Sequence, residues 1–316
     1  MRTNSIIILL FILLITGCSK SSVSMKENKD HTARVIMTDH ANRELMFDDP
    51  PLRIVSLVQG DMEIVHSLGA EIVGRPTVSS DVLPKELADI EEVGTAHEAD
   101  FEKIISLKPD LIIGHAGLNM KDVSTAEALG LNIFLTNSNS YETIIEVISM
   151  YGKILDRENE ANEMIAEIEE KKSSIQSNPL HKKVKALIVY GTTDLFLAAL
   201  PTSLSGNLLD IVGGENIASN LPGIDSYPDY AQLSMERVIE ANPDVIYFIT
   251  HGDPDAVKEK FKLELKSNPA WNKVNAFEHD NFVFLPYELF GTSPGPKVAD
   301  SLRYLRESLE SIATEK

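Results

Sequence analysis

The sequence predicts an α/β protein made of two similar lobes, joined by one long α-helix, with a ligand cleft between them. Three observations carry that prediction. First, a unit occurs twice: Phe101–Ile113 and Met235–Tyr247 align with Glu102 against Glu236 and Pro109 against Pro243. Both pairs are 134 residues apart (236 − 102 and 243 − 109). Each copy reads as a short amphipathic helix, a Pro-Asp break and an apolar strand. Second, strand and helix patterns alternate up to about Ser140, as in a parallel sheet covered by helices. Third, Tyr141 to about Ser177 holds no helix breaker except Gly152. Its Ile144, Val147, Ile148, Tyr151, Ile154, Leu155, Ile165 and Ile168 recur at helical spacing. About 35 helical residues would span roughly 50 Å, enough to bridge two lobes.

The elements follow in order. Met1-Arg2 and the apolar run Ile6–Ile15 fit a signal peptide, too short for a stable membrane span. The run ends in Ile15-Thr16-Gly17-Cys18, which looks like a bacterial lipobox. Residues 1–17 are thus expected to be cleaved and Cys18 to be lipidated. Cys18 is the only cysteine, so no disulfide is expected. Residues 18–32 are polar and form a tether. The N-terminal lobe, 33–140, opens with a hairpin over 34–47 turning at Asp39-His40-Ala41-Asn42. Arg53–Leu57 is a strand, followed by a helix to Leu68 that ends at Gly69. The linking helix covers 141–177 and stops at Asn178-Pro179. The C-terminal lobe, 182–316, opens with the strand Val184–Tyr190. It continues through a helix around Leu208, the Gly213-Gly214 turn, the second repeat and a final helix from about Pro296 to Ile312.

Composition narrows function. At 43% hydrophobic residues, 316 residues suffice for two cored domains. A net charge of −19 speaks against nucleic acid and against an anionic membrane held by charge alone. There is no phosphate-binding glycine loop, and no enzyme is expected.

Open α/β sheets bind ligands at the carboxyl ends of their strands. Three histidines fall at such edges: His97 before the first repeat helix, His115 after its strand, and His251 after the second repeat strand. Neutral imidazole is a common iron ligand. His66 sits beside Val65 and Leu68 and reads as structural, while His31, His40, His181 and His279 carry no assigned role. Candidate apolar walls near strand ends are Leu57, Val58, Phe196, Leu197, Leu200, Tyr287, Leu289 and Phe290. Arg75 and Thr77 follow a strand end, with Ser203, Ser205 and Thr292 as weaker polar candidates.

The run Val35-x-x-Thr38-Asp39, Arg43 and Pro51-x-Arg53-Ile54-Val55-Ser56-Leu57 resembles the opening of class III periplasmic-type binding proteins of ABC importers. The two glutamate-containing repeats, the linking helix and Gly213-Gly214-Glu215-Asn216-Ile217 extend the resemblance over everything after the tether. It implies two Rossmann-like lobes joined by one rigid helix and a monomeric receptor working with a permease and its ATPase. It places that receptor at the extracytoplasmic face of the cell membrane, through the lipid on Cys18. It also implies that Glu102 and Glu236 dock onto permease arginines. Within the family the chain most resembles the haem-receptor lipoproteins of Gram-positive bacteria. Thr250-His251-Gly252-Asp253-Pro254 and Gly94-Thr95-Ala96-His97-Glu98-Ala99 are similar to their ligand turns. The resemblance implies haem held by His97 and His251, with His115 as an alternative ligand. Some relatives carry Met where His97 stands. The pocket would draw on Arg75, Thr77, Val58, Phe196, Tyr287 and Phe290. An iron(III)-siderophore is the alternative ligand. Cobalamin recognition by stacking is disfavoured by the single Trp271. A zinc or manganese receptor would need three or four clustered ligands that cannot be assembled from the sequence.

Overall fold

The computed structural model describes residues 35–78, 83–95, 97–191, 195–250, 254–266, 273–291 and 293–314. Cys18, His251, Thr292 and Trp271 lie outside the described residues. A hairpin comes first: β1 (Val35–Thr38) pairs antiparallel with β2 (Glu44–Phe47). Buried Asp39 closes its turn, accepting the backbone N–H of Ala41 and Arg43 and the Arg43 guanidinium at 3.0 Å. The N-terminal half then runs β3 (Arg53–Ser56), α1 (Gln59–Ser67), β4 (Glu71–Gly74), α2 (Lys85–Ala88), α3 (Phe101–Leu107), β5 (Leu111–His115), α4 (Ala116–Asn119), α5 (Val123–Ala128) and β6 (Ile133–Thr136). Two helices follow, α6 (Tyr141–Ile154) and α7 (Glu158–Ser177). The C-terminal half comprises β7 (Lys185–Gly191), β8 (Phe196–Ala199), α8 (Leu204–Ile211), β9 (Glu215–Asn216), β10 (Tyr230–Gln232), α9 (Met235–Ala241), β11 (Val245–Ile249), α10 (Pro254–Lys266), α11 (Asn275–Glu278), β12 (Phe282–Phe284), α12 (Tyr287–Phe290) and α13 (Val298–Thr314).

The expected α/β class holds. One sheet is parallel throughout, in the order β4-β3-β5-β6. The other runs β10-β8-β7-β11-β12, with β9 also on β7, and is parallel at β7-β11-β12. Both faces of each sheet are covered, so the strands are almost wholly apolar and alternate between two cores. In β5, Leu111 and Ile113 face one core and Ile112 another. In β11, Val245 and Tyr247 join that same first core while Ile246 faces a third. Residues 134 apart therefore turn to the same shared core, which also takes in α6, α7 and α13.

The repeat is also a matched set of polar contacts. Asp100 caps α3 and Ser234 caps α9, each accepting an N–H three residues on. Lys108 and Asn242 end those helices in the left-handed region, both at φ 50°. After each Pro, the aspartate pins the start of the neighbouring strand. Asp110 accepts the N–H of Leu52 at 2.8 Å and of Arg53 at 2.9 Å, and Asp244 accepts that of Lys185 at 3.0 Å. The cation at each pinned strand start returns to the helix end: Arg53 donates to the Leu107 carbonyl, Lys185 to that of Ala241. The side chains thus complement the negative end of each helix dipole.

The single linking helix is corrected. Residues 141–177 form two helices, and α6 stops at Leu155. Asp156 takes a left-handed φ of 55°, and the Arg157 N–H bonds the Gly152 carbonyl at 2.7 Å. This is a Schellman ending made without glycine at the left-handed residue. The helices then pack on each other at Gly152, where a Cβ would lie 2.5 Å from that of Ala161. Gly152, the one breaker visible in the sequence, therefore serves helix contact within α6. The final helix is also shifted: a 3₁₀ turn over Gly295–Lys297 precedes α13.

Candidate functional site

The segments that follow β3 and β12 approach each other closely. The first turn of α1, which leaves β3, lies on the segment that follows β12 and α12. A Cβ on Gly60 would sit 2.3 Å from the Ser293 carbonyl oxygen, and one on Gly295 (φ +55°) 2.3 Å from that of Gly60. Glycine at both positions is what permits this backbone-on-backbone approach. One turn further along α1, buried Glu63 pairs with Lys297 at 2.7 Å.

His97 lies between Thr95 and Glu98, which bond to each other, in the N-terminal half. Thr95 donates its N–H to the Glu98 carbonyl at 2.9 Å, and Glu98 returns an N–H to the Thr95 carbonyl at 3.1 Å. Gly94 has φ +100°, and a Cβ there would collide with the Glu98 carbonyl oxygen at 2.3 Å. The Asp100 N–H bonds the Val93 carbonyl at 2.8 Å, so this segment joins the α3 cap directly. The His97 side chain is exposed, and its backbone carbonyl accepts the Lys121 ammonium. The imidazole is thus accessible.

His115 is placed differently. It ends β5 and caps α4, its Nδ1 accepting the Gly117 N–H at 3.0 Å. That bond assigns the ring proton of the neutral form to Nε2, the atom that would otherwise meet a metal. His115 is half-buried with its Nδ1 engaged, an arrangement that disfavours it as the alternative ligand. Beneath it, fully buried Asp61 accepts from the Tyr151 hydroxyl at 2.6 Å, the Ser138 hydroxyl at 3.4 Å and the Thr136 hydroxyl. Burial raises the Asp61 carboxyl above its usual value and lowers the His115 imidazole below 6.5, with the Asp61 charge and an Asn137 hydrogen bond opposing the latter. His115 thus binds fewer protons folded than unfolded. Its contribution to stability is present above the unfolded pKa and is lost as pH falls from about 6.5 through the lowered folded value. We expect the urea midpoint to drop between pH 7.5 and 5.5, and to drop less in His115→Gln. Equal drops in the two proteins would contradict this assignment.

Glu102 and Glu236 are both exposed, each in the first turn of its capped helix. Several expected pocket residues are corrected. Arg75 is 4% exposed, and its guanidinium is consumed by the carbonyls of Ile90, Pro76, Val78 and Ala88 and by Glu92 at 2.8 Å. Val58, Leu57, Leu197, Leu200 and Phe290 are buried in the cores, where Phe290 packs on Tyr304. Phe196 sets its ring edge-on to Phe261 at 5.1 Å, within the outer core of the second sheet. Ser203 is a buried helix cap. Thr77 remains exposed, with its N–H on the Gly94 carbonyl, and Tyr287 remains half-buried. His251, two residues past the end of β11, lies outside the described residues.

Sequence reasoning missed a group of tyrosines on the opposite edge. Tyr190 ends the apolar run of β7 on the same face as Ile188, and Tyr230 opens β10, with ring centroids 5.4 Å apart. Tyr190 was legible as a strand-end aromatic, whereas Tyr230 depends on the β8-β10 pairing.

The periplasmic binding protein family model matches residues 54–289. Bacillus subtilis YvrC, described as an uncharacterized ABC transporter substrate-binding lipoprotein, is 25% identical over 96% of this chain and 95% of its own. The high-affinity heme uptake system protein IsdE of Staphylococcus aureus Newman is 25% identical over 90% and 89%. The crystal structure of S. aureus IsdE complexed with heme superposes with a TM-score of 0.70 over 81% of this chain and 98% of that one, at 25% identity. An ABC transporter substrate-binding protein from Listeria monocytogenes gives 0.71 over 82% and 98%, at 27% identity. The chain belongs to the periplasmic binding protein family and is a non-enzymatic substrate-binding protein of an ABC transporter.

Proposed function

We propose that the protein captures haem between its halves and delivers it to an ABC permease driven by its ATPase. The observation that carries this reading is the exposed His97, whose carbonyl is held by Lys121 beyond the carboxyl end of β5. His251, two residues beyond β11, supplies the second imidazole and completes bis-His ligation. Neutral imidazole suits ferric iron, and haem supplies its own four equatorial nitrogens. The haem-uptake relative at 25% identity supports the same ligand class. Residues 33–140 and 182–316 act as the two lobes, with 141–177 between them. Residues 1–17 are removed, 18–32 form the tether, and a lipid on Cys18 holds the protein at the extracytoplasmic face of the membrane. Among the described residues no helix is long and apolar enough to cross a membrane.

The test is a haemin titration. A sharp low-spin ferric spectrum supports the reading, while no spectral change together with tight binding of a ferric siderophore would replace it with siderophore transport.

Glu102 and Glu236 present two separated carboxylates for permease arginines, through charge-assisted hydrogen bonds that fix orientation as well as attraction. The double variant Glu102→Ala/Glu236→Ala is expected to bind haemin as the wild type does and to abolish cellular uptake. Normal uptake by that variant would remove the docking role.

A further inference from the structure

Arg75, a pocket residue implied by the resemblance, spends its guanidinium inside its own half. The opposite edge carries a different chemistry. Tyr190 and Tyr230 meet at 5.4 Å and 50°, two rings inclined to each other at the rim of the shared core. Tyr287, in α12 just beyond β12, is close enough for Tyr190 to influence its phenol. Its ring lies close over Gly291, where a Cβ would fall 2.1 Å from it. Tyr227, 53% exposed, and Leu195, 44% exposed, continue the surface outward. β11 ends between β7 and β12, so Tyr190 and Tyr287 flank the strand end from which His251 follows.

We propose that Tyr190, Tyr230 and Tyr287, with Tyr227 at the outer rim, form the subsite that receives the conjugated face and the carboxylates of a tetrapyrrole. This rests on the haem reading of the cleft and specifies how its second wall recognises the ligand. Inclined aromatic rings take a flat conjugated face by stacking and edge contacts. Phenol hydroxyls donate to carboxylates through charge-assisted bonds without bringing a charge of their own. Burial holds all three phenols in the protonated, donating form; with the Tyr190 phenol and the Asp229 carboxylate nearby, Tyr230 is pushed up to about 12. In that form the phenols are donors to the ligand periphery. A ferric hydroxamate, lacking a flat conjugated face, would use the rings poorly.

The test uses metal-free protoporphyrin IX and its dimethyl ester, which cannot be held by axial ligation. Fluorescence titration of the mature protein is expected to show that the triple variant Tyr190→Phe/Tyr230→Phe/Tyr287→Phe binds the free acid at least about tenfold more weakly. The dimethyl ester, with its carboxylates blocked, should bind wild type and triple variant alike. Tyr190→Leu should weaken both porphyrins. Phenylalanine keeps each ring, and an unchanged urea midpoint verifies that the triple variant folds. Wild-type affinity of the triple variant for the free acid overturns the proposal, as does failure of the wild type to bind either porphyrin. If haemin gives no low-spin spectrum but the porphyrin arms behave as expected, axial ligation fails and the tyrosine subsite stands. A low-spin haemin complex, with porphyrin binding unaffected by the Phe substitutions, keeps axial ligation and removes the tyrosine subsite.

Discussion

His251→Ala is expected to remove the low-spin ferric spectrum proposed for the haemin complex, and His97→Ala to convert it to a five-coordinate or weakly held form. Loss of a group that merely supports a metal ligand costs about 10–100-fold in affinity. Loss of an axial ligand itself should exceed that range in a haemin titration. The two variants are expected to differ because their settings differ. His97 lies between Thr95 and Glu98, whose backbones exchange reciprocal bonds, so its substitution leaves that pairing intact. Substituting His115 should leave the spectrum unchanged, since its Nδ1 already accepts the Gly117 N–H. A low-spin spectrum that survives the double variant His97→Ala/His251→Ala would refute bis-His ligation outright.

Asp244→Ala is expected to destabilise the protein by about 3 kcal/mol, read as a fall in the urea midpoint. The carboxylate is buried and accepts both the Lys185 N–H at 3.0 Å and the Asn275 side-chain amide at 3.0 Å. Its removal strands both donors where water cannot easily replace the acceptor. Asp110→Ala is the internal comparison. It takes the equivalent place in the first repeat, but its carboxylate is exposed and water can serve the freed N–H groups of Leu52 and Arg53. We expect about 1 kcal/mol there. Equal losses at the two sites would mean that the pinning contacts do not set the difference.

Much of the fold was legible because its signals are local. The strands of both repeats read clearly, since burial on two faces makes them apolar throughout and their helices carry caps three residues before the first bonded N–H. The hairpin over Val35–Phe47 was legible from its Asp-initiated turn. The break between α6 and α7 was not. Helical periodicity runs straight through Leu155, and nothing in Asp156 announces a left-handed residue. Of the candidate site, the exposure of His97 could be anticipated from the Gly94 turn. The fate of Arg75 could not, because its acceptors are carbonyls up to 15 residues away whose positions are set by the chain path around α2.

Local patterning alone specifies the repeated helix–Pro-Asp–strand unit and the α/β class. These follow from periodicity, caps and breakers, which act over a few residues. Which side chains at the sheet edges can meet a ligand is settled by long-range packing. That packing spends Arg75 and His115 on internal hydrogen bonds, buries Val58 and Phe290 in core, and brings Tyr190 beside Tyr230 across β8. The reason is that a polar or aromatic group can serve a ligand only after the fold has satisfied every buried donor and acceptor around it, and that accounting depends on partners the local pattern does not name.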